Sequence, residues 1–344
     1  MWLSLSSFVI LIFSMSPAFA ENELDINENP LPPLGWQIPG TGINLGGYTS
    51  ASFEHDKHQS DQLGLDDLSL FVHWENDGKF RLFSEIDLED SLSYDEGAGF
   101  TTKHAYLALE RLYLDYLYSD RLNLRYGKFL TPIGHWNLIH AQPLQWTNTR
   151  PLITERTFPT NATGAMAYGT LPVIRQNIDY SIYASFGEEW RPDPDQDAFE
   201  EAYGIRLSLP DSGVGEFGFS YANFEQKDSI GEKKNLFGLD YIWSRNRYEI
   251  SAELAYRFSD KTSRSDERGF FIQGVVPISE HWYGVARYEL YDQAGERPAV
   301  NIALLGVAMR LSPALIFKAE FSRASNNNSL KAPEGFFTSF SILF

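Results

Sequence analysis

The sequence predicts an all-β chain, a transmembrane antiparallel β-barrel of about 16 strands with a long third external loop. Three observations carry that prediction. From Ile43 onward, nearly every stretch of about ten residues alternates apolar and polar side chains, the period of a strand with one face in lipid and the other in water. The connections alternate as well, tight ones taking turns with long ones rich in Asp, Glu, Ser, Asn and Gly. A soluble sandwich has no reason for that asymmetry, whereas a chain threaded back and forth through a membrane from one side does. Finally, no segment past the first twenty residues offers the roughly 18 continuous apolar residues of a membrane helix, so only strands remain as spanning elements.

Taken in order, residues 1–20 read as a secretory signal peptide. An apolar run from Leu3 to Phe13 is followed by Ser14, Ser16 and Pro17, then by the small-x-small site Ala18-Phe19-Ala20 before Glu21. Residues 21–42 contain Pro30, Pro32, Pro33 and Pro39, each lacking the ladder donor of a central strand, so a tail or plug is expected there. The barrel itself is expected over residues 43–344. Its strands are placed at 43–54, 65–75, 79–89, 105–118, 121–129, 163–171, 176–186, 200–209, 214–225, 235–244, 246–257, 268–276, 281–291, 299–311, 313–325 and 335–344. Tight connections fall at Asn76-Asp77-Gly78, Ser119-Asp120, 172–175, 210–213, Arg245, 277–280 and Ser312.

Parity assigns the faces. Phe80, Leu82, Ile86 and Leu88 share one side of their strand, with Arg81, Glu85 and Asp87 on the other; Tyr248, Ile250, Ala252 and Leu254 oppose Glu249, Ser251, Glu253 and Arg257. Arg111, Asp115, Arg125, Arg206, Arg287, Glu289 and Lys318 also point inward by parity, as do Asp179, Glu216, Asp240 and Glu320. The expected lumen wall is therefore of mixed charge. Aromatics gather near strand ends, as at Tyr113, Tyr116 and Tyr118, consistent with interfacial girdles.

Composition excludes several classes of function. With 46 acidic against 28 basic residues the formal charge is −18, and no basic stripe exists for a nucleic-acid backbone. The absence of Cys excludes a disulfide framework and thiol chemistry. His55-x-x-His58 is the one close histidine pair, but it lies in a polar loop without a metalloprotease helix. Asp193-x-Asp195-x-Asp197 has the spacing of oxygen ligands, yet Pro194 interrupts it and the Gly and distal Glu of a calcium loop are missing. No metal and no cofactor are expected. His73 and His104 lie near Ser69 and Ser84 in sequence, but no strained nucleophile turn marks a serine, so no catalytic residues are assigned.

The stretch Gly127-Lys128-Phe129-Leu130-Thr131-Pro132-Ile133-Gly134 ends one strand and opens the longest connection, 130–162. It resembles the Gly-Lys-x-x-Thr-Pro-x-Gly segment of Gram-negative outer-membrane porins of the phosphate-selective O and P type. The resemblance covers a short part of the chain and implies a diffusion porin, with a homotrimer among the assemblies it allows. In sixteen-stranded general porins the third external loop narrows the lumen, so the resemblance marks His135, Trp136, His140, Arg150, Glu155 and Arg156 as candidate constriction residues. Selectivity for phosphate in that family is attributed to Arg ladders and a Lys ring, and the mixed wall here departs from that pattern. The final Phe344, in step with Phe340 and Ile342, resembles the C-terminal signal of outer-membrane barrels, implying delivery to the barrel-assembly machinery.

The expectation is an outer-membrane porin, not an enzyme, passing small polar solutes or ions through a water-filled lumen and contacting outer-membrane lipid and lipopolysaccharide. A lipid-hydrolase barrel and a closed adhesin or structural barrel are the alternatives.

Overall fold

Each of the long alternating stretches pairs antiparallel with its neighbours in the chain, and the last pairs with the first. The computed structural model describes residues 35–344 apart from 77, 96–98, 174–175, 189–196, 211–212, 262–265 and 296. The signal peptide, Asp193 and Asp195 lie outside the described residues. Strands run β1 Trp36–Ile38, β2 Ile43–Asp56, β3 Gln62–Glu75, β4 Phe80–Asp95, β5 Gly99–Thr101, β6 Tyr106–Ser119, β7 Leu122–Leu130, β8 Asn161–Val173 and β9 Gln176–Ser185. They continue as β10 Phe199–Leu209, β11 Glu216–Gln226, β12 Lys234–Arg245, β13 Tyr248–Ser259, β14 Glu267–Pro277, β15 Trp282–Asp292, β16 Val300–Ser312, β17 Leu315–Ser325 and β18 Gly335–Leu343. Two of these, β1 and β5, are three-residue additions. The other 16 described strands form the closed barrel, sealed where β18 pairs β2 from Gly335↔Asp56 to Leu343↔Tyr48.

The seam is finished by the last residue: the Phe344 N–H donates to the Gly47 carbonyl at 2.9 Å and the Gly47 N–H to the Phe344 carbonyl at 2.8 Å. No unpaired edge is left there for another chain to join. One expectation needs correction. Trp36–Ile38, inside the lead expected to be tail or plug, pairs with Ile43–Leu45 as β1. It stops before Pro39, which has no ladder donor to continue it.

The outer face is apolar. Leu70, Leu124, Leu239, Leu254, Ile272, Leu305 and Phe321 all lie between 47% and 70% exposed. So continuous an apolar belt is far beyond what a soluble monomer exposes. The inner face carries the charges, and strict alternation fails there at three irregularities in β2–β6. Between Leu65 and Asp67 the register with β4 shifts, between Thr49 and Ala51 that with β3, and between Glu85 and Ile86 that with β6. In the last, Arg111 pairs with Glu85 and Leu109 with Ile86, leaving Glu110 as the extra residue of a bulge.

Candidate functional site

The connection between β7 and β8, residues 131–160, lies inside the barrel. Its start is set by the Gly127–Gly134 motif. Gly127 has φ +133, and a Cβ there would sit 2.1 Å from the Leu112 carbonyl oxygen of the paired strand. Thr131 and Thr160 tie the loop's two ends together: the Thr131 N–H donates to the Thr160 carbonyl at 2.8 Å, and its hydroxyl to the Pro159 carbonyl at 2.8 Å. Asn137 then donates its amide to the carbonyls of Thr131 (2.8 Å) and Thr160 (3.0 Å). Gly134, at φ +67, brings the backbone so close to β13 that a Cβ would stand 2.4 Å from Glu253 Oε2. That approach lets Glu253 Oε1 accept the N–H groups of His135 (2.7 Å) and Trp136 (2.5 Å).

The rest of the loop is fastened the same way, by inward charges of β13–β17. Glu320 accepts from the N–H groups of Asn148 (2.7 Å) and Thr149 (2.9 Å), and Glu289 from Leu152 N–H (2.8 Å). Leu152 begins the five-residue helix α1, Leu152–Arg156. Arg287 donates to Glu289 (2.7 Å), to the Thr147 hydroxyl (2.7 Å) and to the Thr149 carbonyl (2.8 Å). Lys318 reaches Gln142 Oε1 (2.8 Å) and the Thr147 carbonyl (3.1 Å); Arg310 contacts the carbonyls of Pro143 and Leu144 and lies 4.2 Å from the ring of Trp146. Arg257 donates to the Thr157 carbonyl (3.2 Å) and pairs with Glu267 (2.8 Å). Arg206 forms a bidentate pair with Asp240.

Apolar packing seats the loop between these bonds. Trp136, Leu152 and Ile153 are buried with Ala255, Phe271, Tyr291, Val300 and Ile302 of β13–β16, Trp136 meeting Phe271 edge-on at 5.6 Å. Trp146 packs on Tyr283 at 4.9 Å.

Opposite the docked loop the inner wall of β2–β8 is built differently. Tyr48, Phe71, Phe83 and Tyr113 form a row of ring contacts between 5.4 and 5.9 Å. Arg111, paired with Glu85, lies 4.6 Å from the Phe83 ring, and Arg125 lies 3.7 Å from that of Tyr113 while clasping Asp115 at 2.7 and 2.9 Å. Arg81 is at the margin, 3.3 Å from Glu75.

Between wall and loop a cavity of about 670 Å³ remains. It is lined by Asp67, Asp87, Glu89 and Glu110 from the wall, Asp197 from the segment before β10, and His140, Arg150, Glu155 and Arg156 from the loop. Arg156 pairs with Glu155 at 3.2 Å, and Arg150 reaches Asn137 at 3.4 Å. Burial holds the imidazoles of His135 and His140 down at about 4, so both are neutral; His140 also feels Arg150 and Arg111, partly offset by Glu85. Burial raises the carboxyl of Glu155, against the pull of Arg156 and Arg150, and raises that of Asp197.

The candidates read from sequence therefore divide into two groups. Asp87, His140, Arg150, Glu155 and Arg156 meet around the cavity, with Glu85 and Arg111 just behind it. Glu253, Arg257, Arg287 and Glu289 face inward but meet the loop, Arg206 faces inward and is held by Asp240, and His135 and Trp136 are buried beneath the loop. One cavity carboxylate escapes strict parity: Glu110 turns inward at its bulge, where it accepts from Asn161 at 3.1 Å. Asp67 is in step with the inward Ser69 and Phe71, and the Ser50 hydroxyl donates to it at 3.0 Å.

Glu85, Asp87 and His140 bring possible ligand atoms within 4.8 Å of one another, but the Arg111 guanidinium already holds Glu85, so the cluster is an ion-pair network more than a cation cage. His55 and His58 turn to different partners, Asp61 and Asn327. The Ser69 hydroxyl donates to Glu85.

The architecture is that of the outer-membrane porins. OmpT of Vibrio cholerae superposes with a TM-score of 0.62 over 90% of this chain and 100% of its own, at 10% identity. A trimer form of that protein, folded in vitro, also matches, at 0.56 with 8% identity over 88% of this chain and 99% of its own. The anion-selective porin of Comamonas acidovorans superposes at 0.60 over 88% and 98%, with 14% identity. No family model matches the sequence. By sequence, the chain belongs to the same family as an uncharacterised protein of Aquifex aeolicus (strain VF5), 30% identical over 82% of this chain and 76% of that protein.

Proposed function

We propose that the protein is a passive porin of the bacterial outer membrane, with the loop 131–160 as its constriction and the charged cavity as the narrowest part of its water-filled path. One observation carries this reading: the longest connection is pinned inside the barrel by Glu253, Glu289, Arg287, Lys318 and Glu320, yet leaves a polar space of about 670 Å³ against the opposite wall. A barrel serving only as a scaffold has no need to hold a loop at that depth while lining the remaining space with acidic and basic side chains.

In mechanism, the solute moves by diffusion. The docked loop sets the size limit, and the surrounding charges keep the space hydrated and disfavour apolar solutes. No covalent step is required. Arg81, Glu85, Asp87, Arg111, Asp115, Arg125 and Arg206 line the path or support its wall, while Glu253, Arg257, Arg287 and Glu289 act through the loop they hold. Export by a cleaved signal peptide, recognition of Phe344 by the barrel-assembly machinery, an outer belt in contact with lipid and lipopolysaccharide, and assembly as a homotrimer complete the proposal.

Liposome swelling tests it. Vesicles carrying the folded chain are expected to swell in small sugars at rates that fall steeply with solute size. Protein shown by circular dichroism to be folded β, yet giving no swelling with any solute, refutes the porin reading and returns the closed-barrel and enzyme alternatives.

A further inference from the structure

We infer that the path prefers cations, because the inward charges of β10–β17, basic and acidic alike, are taken up in holding the loop and one another, while the side chains left lining the cavity are mainly acidic. This inference rests on the porin reading. The division is visible residue by residue. Arg206, Arg257, Arg287, Arg310 and Lys318 all project from β10–β17, and each turns donors to a carboxylate, a loop carbonyl or a loop side chain. Their charge is thus neutralised by partners or covered by the loop before a solute can meet it.

The cavity lining is not balanced in this way. Asp67, Asp87, Glu89, Glu110, Glu155 and Asp197 line it, against two guanidiniums, Arg150 and Arg156, the second already paired with Glu155. The bulge in β6 deepens this excess, since it delivers Glu110 to the inner face. An excess of fixed negative charge in a narrow space walled by low-dielectric protein concentrates counter-ions and repels anions. This differs from the anion preference named for the Comamonas protein of the same fold.

The test is the reversal potential of the full folded chain in planar bilayers under a KCl gradient. Potassium is expected to be favoured over chloride by on the order of tenfold near 0.1 M salt. The ratio is expected to approach one at 1 M, where the screening length shrinks from about 10 to about 3 Å. Two variants locate the effect. Asp67→Asn/Glu110→Gln changes the wall, and Glu155→Gln/Asp197→Asn changes only residues outside the strands, so the barrel's folding does not depend on it. Each should lower the ratio at least twofold while discrete conductance persists. Conductance with chloride favoured, or a ratio that neither variant moves, overturns the inference alone. Absence of any conductance from β-folded protein overturns the porin reading and this inference with it.

Discussion

Replacing Gly134 by Ala probes the loop at the point where its backbone comes nearest the wall. An L side chain at φ +67 costs about 1–2 kcal/mol. The new Cβ, 2.4 Å from Glu253 Oε2, also forces that carboxylate away from the N–H groups of His135 and Trp136. Each charge-assisted bond is worth about 1.5–3 kcal/mol. The lower ends of these ranges sum to roughly 4 kcal/mol, on the order of a thousandfold in the equilibrium between seated and unseated states of the 134–137 turn. Amide hydrogen exchange read by mass spectrometry on the peptide spanning 133–139 measures it. The G134A peptide should exchange on the order of a thousandfold faster than wild type, while peptides of β13 and β15 keep their protection. Gly40→Ala is the control: Gly40 also has positive φ, +74, but open space where a Cβ would go, so it should leave the loop peptide unchanged. Equal protection in G134A and wild type would refute the docking argument.

Three further outcomes follow from the same structure. Arg287→Ala leaves Glu289 buried without its guanidinium and strips Thr147 and Thr149 of their donor, a loss of about 3–5 kcal/mol; exchange over residues 145–152 should accelerate while the barrel's β signal persists. His135 titrates at about 4 when seated against roughly 6.5 unfolded, so the unfolded chain binds the extra proton between those values. Its contribution, about 3 kcal/mol, is whole above pH 6.5 and is lost progressively as pH falls toward 4; thermal unfolding at pH 7.5, 5.5 and 4.5 should show this slope, reduced in His135→Leu. Leu305→Arg places a charge on the lipid face, 70% exposed near the middle of β16, and should cost about 2–4 kcal/mol in folding from urea into vesicles, whereas the inward neighbour change Ser322→Thr should cost much less.

The strands were legible because their physics is local. Period-two alternation and the alternation of short and long connections place the ends of the 16 barrel strands within about three residues of where they lie, except that β4 runs on past the expected residue 89 to Asp95. The bulges were not legible: one extra residue at Glu110 flips parity, and nothing in the string Leu109-Glu110-Arg111 announces it. The docking of the loop was half-legible. Strands β14 and β16 carry large apolar residues on both faces, Phe270-Phe271-Ile272 and Ile302-Ala303-Leu304-Leu305, where a wall facing water alone should alternate. That doubled hydrophobicity is the trace of the surface that receives Trp136, Leu152 and Ile153. The partition of inward charges between loop anchors and cavity lining depends on contacts more than a hundred residues apart, such as His135 with Glu253, and no spacing rule reaches that far.

The central claim, that the loop narrows a continuous aqueous path, is met most directly by single-channel conductance of the folded chain beside a variant in which residues 135–156 are replaced by a short Gly-Ser linker. Discrete ohmic steps from the intact protein, and steps several-fold larger from the variant, are the predicted result. Equal steps from both, or silence from both when circular dichroism shows folded β, would contradict it.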